Sequence, residues 1–474
     1  MGRHTYTPHM GSLLVLDVVG LTRRQIDAEN TPRLHELTRR GASAPMTGVL
    51  PGVTCSAQAT MLTGVMPGEH GAVGNGWLDR STMEIALWRQ ANSLVEKKKV
   101  YEVARERDER FTCAKLFWWW NMGADVDYSV TPRPFYPADG RKLLAIYSWP
   151  TELGVELERD LGPFPFFNFW GPKAGLPSTR WIADATIQTL KGKNPDLTLA
   201  YLPHLDYDHQ RYGPGDPRSL QALREVDGIV GELVDAADAQ GTQVMVVSEY
   251  GITDVSRAIH PNLALRDAGL LVARETPTGD VLDVFGSRAF AVADHQLAHV
   301  YVKDERARDE AARVLEALPG VDLVLGEEGK RAHGISHANA GDLVLVSDAD
   351  AWFTYYYWEG RQAEPDFART VDIHRKPGYD PCEMFLDPEL RLPILRVLRR
   401  VAQKKLGFRM LMDVIPVRPE LVRGSHGRLP ADPLDGPVYL STLPWGPSNP
   451  EPQGGSVSMT SIHDRILGAL SESG

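Results

Sequence analysis

The sequence predicts an α/β protein, a three-layer sandwich in which a largely parallel sheet lies between helices on both faces and carries inserted segments. Three observations lead there. The run "SLLVLDVVG" (12–20) is apolar after Ser12 except for Asp17, as suits a strand covered on both faces. Similar strand-like runs alternate with amphipathic helical stretches along the chain, the pattern of a parallel sheet wound with helices. Hydrophobic residues at 43% and charged residues at 24%, spread over 474 residues, describe a folded chain with ample material for a core.

Taken in order, "NTPRLHELTRRGA" (30–42) reads as a helix, with Asn30 or Thr31 as cap, Pro32 in the first turn and Gly41 as the stop. "PGVTCSAQATMLTG" (51–64) places Thr54, Cys55 and Ser56 at the head of a helix-like run after a Pro-Gly turn. Residues 117–180 are rich in aromatics and prolines and poor in helical period, which predicts an inserted cap or pocket wall. "DLTLAYLP" (196–203), "TQVMVVSEYG" (242–251) and "GDLVLVSD" (341–348) are strand candidates, and "RSLQALREVDGIVGELVDAADAQG" (218–241) is a strong amphipathic helix. Residues 283–340 predict a small α/β insertion, and the tail from 444 to 458 an irregular segment before a short helix, "SIHDRILGALSE". A single catalytic domain over 1–474 accommodates all of this.

A net charge of -11 gives no basic footprint for nucleic-acid polymers or anionic membranes. Cys55, Cys113 and Cys382 are too scattered for a disulfide framework or a CxxC metal site, so a cytoplasmic location is expected. No apolar stretch approaches the roughly 20 residues of a spanning helix, and "LLVLDVVGL" lacks the flanks of a secretion signal.

In a parallel sheet, ligands gather at the carboxyl ends of the strands, where Asp17, Asp206 and Glu249 fall. Carboxylates there, histidines nearby and a hydroxyl at a helix start outline a site for hard divalent metal ions acting on a phosphoryl group. The helix start itself favours a phosphate.

These residues sit in stretches that carry a resemblance. "VLDVVGL", "TPRLHELTRRGA", "PGVTCSAQATMLTG", "PGEHGAVGNGWLD", "YLPHLDYDHQRYGP" and "GSHGRLP" together resemble the type I phosphodiesterase/nucleotide pyrophosphatase family of the alkaline phosphatase superfamily, to which phosphonoacetate hydrolase is related. The resemblance implies an alkaline-phosphatase-like sandwich with two divalent ions, zinc foremost and manganese or magnesium as alternatives. It implies that Thr54, nine positions before Thr63 of a Thr-Gly pair, is the nucleophile, and that Asn75 donates to a phosphoryl oxygen. Asp17, Thr54, Asp206, Glu249 and His426 then ligate metal, with His374 as a possible extra ligand.

Two positions depart from the pattern: Gln210 and Tyr250 stand where the family has histidines. His204 and His209 are nearby substitutes, whereas His295 and His299 read as structural. The implied function is hydrolysis of a phosphodiester or pyrophosphate bond in a small molecule through a phospho-threonine intermediate. The alternatives are a phosphomonoesterase or phosphonate hydrolase on the same scaffold, and a non-catalytic binding protein with a degenerate metal site. Trp118–Trp120 and Phe164–Trp170 could stack a base or an apolar leaving group, or pack as core. The sequence leaves the oligomeric state open.

Overall fold

Alternation along the first strand, Leu13–Val18, shows how the layers are built. Leu14, Leu16 and Val18 face one core with Leu34, Leu223 and Ile229, while Leu13 and Val15 face the opposite core with Ala57, Met61 and Ile466. A period of two feeds both faces of one sheet, and helices cover each. The computed structural model describes residues 11–138 and 141–472; positions 139 and 140 of the aromatic stretch lie outside the described residues.

The main sheet has nine strands in the order Val457–Ser458, Ala42–Thr47, Val438–Ser441, Gln243–Val247, Leu13–Val18, Leu197–Leu202, Cys113–Leu116, Tyr128–Pro132, Ile146–Trp149. The five strands from Gln243–Val247 to Tyr128–Pro132 run parallel. Val438–Ser441 and Ile146–Trp149 pair antiparallel with their neighbours. Helix Pro217–Asp238 braces one face, and the buried carboxylate of its Asp227 accepts the Arg33 and Leu34 backbone N–H groups at 3.1 and 2.8 Å, satisfying the start of helix Pro32–Arg40.

Two expectations are revised. The 117–180 stretch is partly scaffold: Tyr128–Pro132 and Ile146–Trp149 extend the main sheet, and Thr151–Leu161 is a helix burying Leu153 and Leu157. Its aromatic density reflects packing, with Phe117 and Phe164 at 4.6 Å between ring centroids and Trp181 against both. The run at 341–348 forms strand Leu343–Ser347, but in a second, antiparallel sheet with Ala289–Asp294, Leu297–Val302 and Val321–Leu325. It is buried along its whole length, so its composition mimics that of a parallel strand.

Beside the site, Lys376 is buried with two acids, its Nζ lying 2.8 Å from Asp380 Oδ2 and 2.7 Å from Glu383 Oε1. Glu383 Oε2 accepts from Trp170 Nε1 at 2.5 Å. Removing the cation strands two buried carboxylates, so Lys376→Met should lower unfolding stability by about 3–5 kcal/mol in urea denaturation. A loss under about 1 kcal/mol would show that the pair contributes little.

Candidate active site

Strand register decides which side chains meet. Asp17 lies opposite Tyr201 and Val247, so the ends of three adjacent parallel strands are level. Asp206, on helix His204–Tyr212, and Glu249, two residues past Gln243–Val247, emerge beside it. Helix Thr54–Thr63 supplies the fourth element, with Thr54 its first residue.

Thr54 Oγ1 donates to Glu249 Oε2 at 2.7 Å and lies 3.4 Å from the Tyr250 hydroxyl. Tyr250 in turn donates to Asp206 Oδ1 at 3.2 Å. Cys55 and Ser56 face elsewhere. The Cys55 thiol is buried in an apolar cluster, and burial pushes its pKa far up, so it is not a nucleophile at neutral pH. Ser56 Oγ is buried with no partner.

Asn75 is largely committed. Its Oδ1 accepts the Cys55 N–H at 3.1 Å, and its Nδ2 donates to Asp294 Oδ1 at 3.0 Å, which leaves one Nδ2 hydrogen for a ligand. His426 donates from Nδ1 to Gly52 O at 2.7 Å, and burial holds the ring neutral. Its Nε2 lone pair is therefore free, buried without a partner 3.8 Å from Asp206 Oδ1.

The acids are strained electrostatically. Burial, with the Glu249 charge adding to it, raises the Asp17 pKa well above the carboxylate range. Burial likewise pushes Glu249 up to about 7 and Asp206 up to about 6. The Glu249 charge thus favours the protonated form of Asp17.

What faces these acids is a pair of glutamine amides. Gln58, one turn after Thr54 and on the same helix face, donates through Nε2 to Asp17 Oδ2 at 3.0 Å and Glu249 Oε1 at 2.7 Å. The Trp119 backbone N–H, which can only donate, occupies Gln58 Oε1 at 2.5 Å and fixes that orientation. Gln210 repeats the arrangement: its Oε1 accepts from the Tyr379 hydroxyl at 3.0 Å, and its Nε2 faces Asp206 without a hydrogen bond of good geometry. An N–H group aimed into a site cannot ligate a cation. Among the described residues no group of three or more His, Cys, Asp or Glu side chains is arranged to hold a metal ion. Asp17 Oδ1 and His426 Nε2 are unpartnered buried acceptors, but the other oxygen of Asp17 is held by the Gln58 amide. The donor set therefore does not fit the two-ion centre that the resemblance implies.

Other candidates lie apart. His374 is solvent-exposed and outside the cluster. His204 bonds Glu225 at 2.9 Å, and His209 is buried beside Gly20 with no polar partner. His299 bonds Val73 O and the Gly341 N–H, a structural role. His295 belongs to the site. It occupies the hairpin turn after Asp294 with a left-handed φ of 61°, bonds Asp294 Oδ1 at 2.9 Å, stacks on Tyr379 at 3.6 Å and packs at a tilt against His426 at 3.8 Å. Tyr250 stacks on the other face of the series, 3.5 Å from His426. Trp118 and Trp120 are core; the half-buried rings next to Tyr379 are Trp88 and Trp170, at 6.3 and 5.7 Å.

Sequence reasoning missed Gln58, Asp294, His295 and Tyr379. Only Gln58 had a local signal, its i+4 spacing from Thr54.

The model of the family described as type I phosphodiesterase/nucleotide pyrophosphatase matches residues 13–380. The chain belongs to the type I phosphodiesterase/nucleotide pyrophosphatase family. Solved structures share the fold. Murine ectonucleotide pyrophosphatase/phosphodiesterase 5, an inactive threonine-to-alanine variant in complex with AMP, has a TM-score of 0.58 at 15% identity, covering 97% of this chain and 95% of its own. Phosphonoacetate hydrolase from Sinorhizobium meliloti 1021, in complex with phosphonoformate, has 0.58 at 16%, covering 98% and 96%. The human ectonucleotide pyrophosphatase/phosphodiesterase 5 has 0.58 at 14%, covering 97% and 94%. In this family member His426 falls beyond the matched residues, and the structure places its Nε2 3.8 Å from Asp206 Oδ1.

The raised pKa of Glu249 has a thermodynamic consequence. The folded state binds its proton more tightly than the unfolded chain, whose ordinary value is 4.5. The resulting stabilisation is complete below about pH 4.5 and lost as pH rises through about 7. Glu249→Gln should therefore flatten the fall in melting temperature between those limits and leave the variant more stable than the parent at pH 8. Melting curves in parallel from pH 4.5 to 8 test this, and equal slopes would refute it.

Proposed function

We propose that the chain is a phosphoester hydrolase in which Thr54 attacks the phosphorus of a small-molecule phosphodiester or pyrophosphate. The observation that carries this reading is the 2.7 Å hydrogen bond from Thr54 Oγ1 to Glu249 Oε2 at the start of a ten-residue helix. A hydroxyl paired with a buried carboxylate, at a helix end that favours an oxyanion, is an activated nucleophile. The AMP and phosphonoformate complexes of the structural neighbours support a phosphorus oxyanion as the ligand class.

The donors do not fit a two-ion centre, and the proton transfers fall to this chain's own residues. As Thr54 Oγ1 bonds to phosphorus, its proton passes to ionised Glu249 and the phosphorus–leaving-group bond breaks. Glu249 then returns that proton to the leaving oxygen. Water attacks the phospho-threonine, giving a proton to Glu249, and Thr54 is restored as the free alcohol on receiving it. The remaining Asn75 Nδ2 hydrogen can meet a phosphoryl oxygen. Trp88 and Trp170 offer ring faces for an aromatic leaving group. The three cysteines are buried and unpaired, which supports a reducing compartment.

The amides of Gln58 and Gln210 favour a second reading, a binding protein that retains the fold without turnover. One experiment separates the two. Thr54→Ala should lower hydrolysis of an aryl phosphodiester by roughly a thousandfold or more, and acid quenching of the parent during turnover should trap on Thr54 a phosphoryl adduct that still carries the ester group not expelled, seen by mass spectrometry. A parent with no turnover on aryl diesters, aryl monoesters, nucleoside diphosphates or phosphonoacetate, alone or with zinc or manganese, would establish the binding-protein reading instead. Elemental analysis of the purified chain should find fewer than two divalent ions per molecule; two tightly held ions would show that the glutamine amides swing aside.

A further inference from the structure

One helix is mounted inside out. Along Pro393–Lys405, Ile394, Leu395, Leu398, Val401 and Ala402 share one face, and Arg396, Arg400 and Gln403 the other. A surface helix ordinarily packs its apolar face inward. Here no residue of the helix is buried: Ile394 is 72% exposed and Leu395 and Leu398 each 59%, while Arg396, Arg400 and Gln403 are partly covered. Asp413 explains the inversion. It pairs with Arg396 and, at 2.9 Å, with Arg400, so the cationic face holds the helix to the returning chain and the apolar face turns outward. The Asp387 N–H donates to Val414 O at 2.8 Å and closes the base of the excursion. Leu392 before the helix, and Leu406 and Phe408 after it, extend the exposed apolar surface.

Charge identifies what this face meets. The segment "RLPILRVLRRVAQKKLGFR" (391–409) has seven Arg and Lys residues and no acid, and taking those seven from the net charge of -11 leaves the rest of the chain at -18. Arg399, Lys404 and Lys405 make no ion pair among the described residues. An exposed apolar stripe flanked by Arg399 and Lys404, with Lys405 closing its carboxyl end, matches a surface with apolar depth and anionic headgroups. Symmetric pairing with a second copy would instead set one cationic helix against another. We propose that helix Pro393–Lys405 docks the chain on an anionic phospholipid surface, lying in its plane with Ile394, Leu395 and Leu398 in the acyl boundary and Arg399, Lys404 and Lys405 at the phosphates. This holds whether or not Thr54 turns over substrate.

The test is flotation of the full chain with vesicles of phosphatidylcholine alone or with one part in three phosphatidylglycerol, at about 0.1 M salt. Binding is expected only to the anionic vesicles. The Leu395→Glu/Leu398→Glu pair and the Arg399→Glu/Lys404→Glu pair should each lower the bound-to-free ratio by about tenfold or more. All these residues are exposed, so circular dichroism should be unchanged. As a second readout, Leu398→Cys carrying an environment-sensitive dye should show a blue shift on adding anionic vesicles, labelling being selective because the native cysteines are buried. The proposal is overturned by no vesicle binding, by binding that the leucine pair does not alter, or by a lipid-free dimer that the leucine pair dissociates while the parent ignores vesicles. Equal binding to polyuridylate that survives the leucine changes would also overturn it.

Discussion

A single backbone N–H, that of Trp119, decides what the central acids face. It can only donate, so Gln58 must turn its oxygen toward it and its Nε2 toward Asp17 and Glu249. The rest of the centre follows. One amide donates to both acids, Glu249 keeps an oxygen for Thr54, and Tyr250 links Thr54 to Asp206. Gln210, oriented by Tyr379, repeats the device at the third acid. Two neutral donors thus stand beside the carboxylates of a family scaffold, and they do so through bonds to groups some distance along the chain.

Much of the scaffold was legible in the sequence because its signals are local. Leu13–Val18, Leu197–Leu202 and Gln243–Val247 are short continuous apolar runs, and Pro217–Asp238 is a long periodic helix, patterns that report burial directly. Thr54, Asp17, Asp206 and Glu249 were legible through motif order, since parallel strands deliver residues to one edge whatever lies between. The groups around them were not. Trp119 N–H comes from the loop after main-sheet strand Cys113–Leu116, and Asp294 and His295 come from a hairpin of the second sheet, with no spacing in the chain that announces either contact. Strand Leu343–Ser347 was legible as a strand but not as a member of the antiparallel sheet, because full burial on both sides erases the alternation that separates antiparallel from parallel.

Whole-chain averages hid a further feature. A net charge of -11 led to the expectation of no basic footprint, although "RLPILRVLRRVAQKKLGFR" is plainly basic and apolar-periodic when read alone. Sequence pattern identifies an amphipathic helix but not which face it presents. That was settled by Asp413, which lies after the helix and captures its cations. No helix among the described residues is long and apolar enough to cross a membrane.

The packed rings of Tyr250, His426, His295 and Tyr379 make the centre a seam. Tyr250 follows a strand of the main sheet, whereas His295 occupies a hairpin turn of the second sheet. Neither sheet owns the site. A fragment holding the main sheet alone would keep Thr54 and its acids but lose the wall that closes over them, so dividing this chain into smaller working parts would cut through its centre.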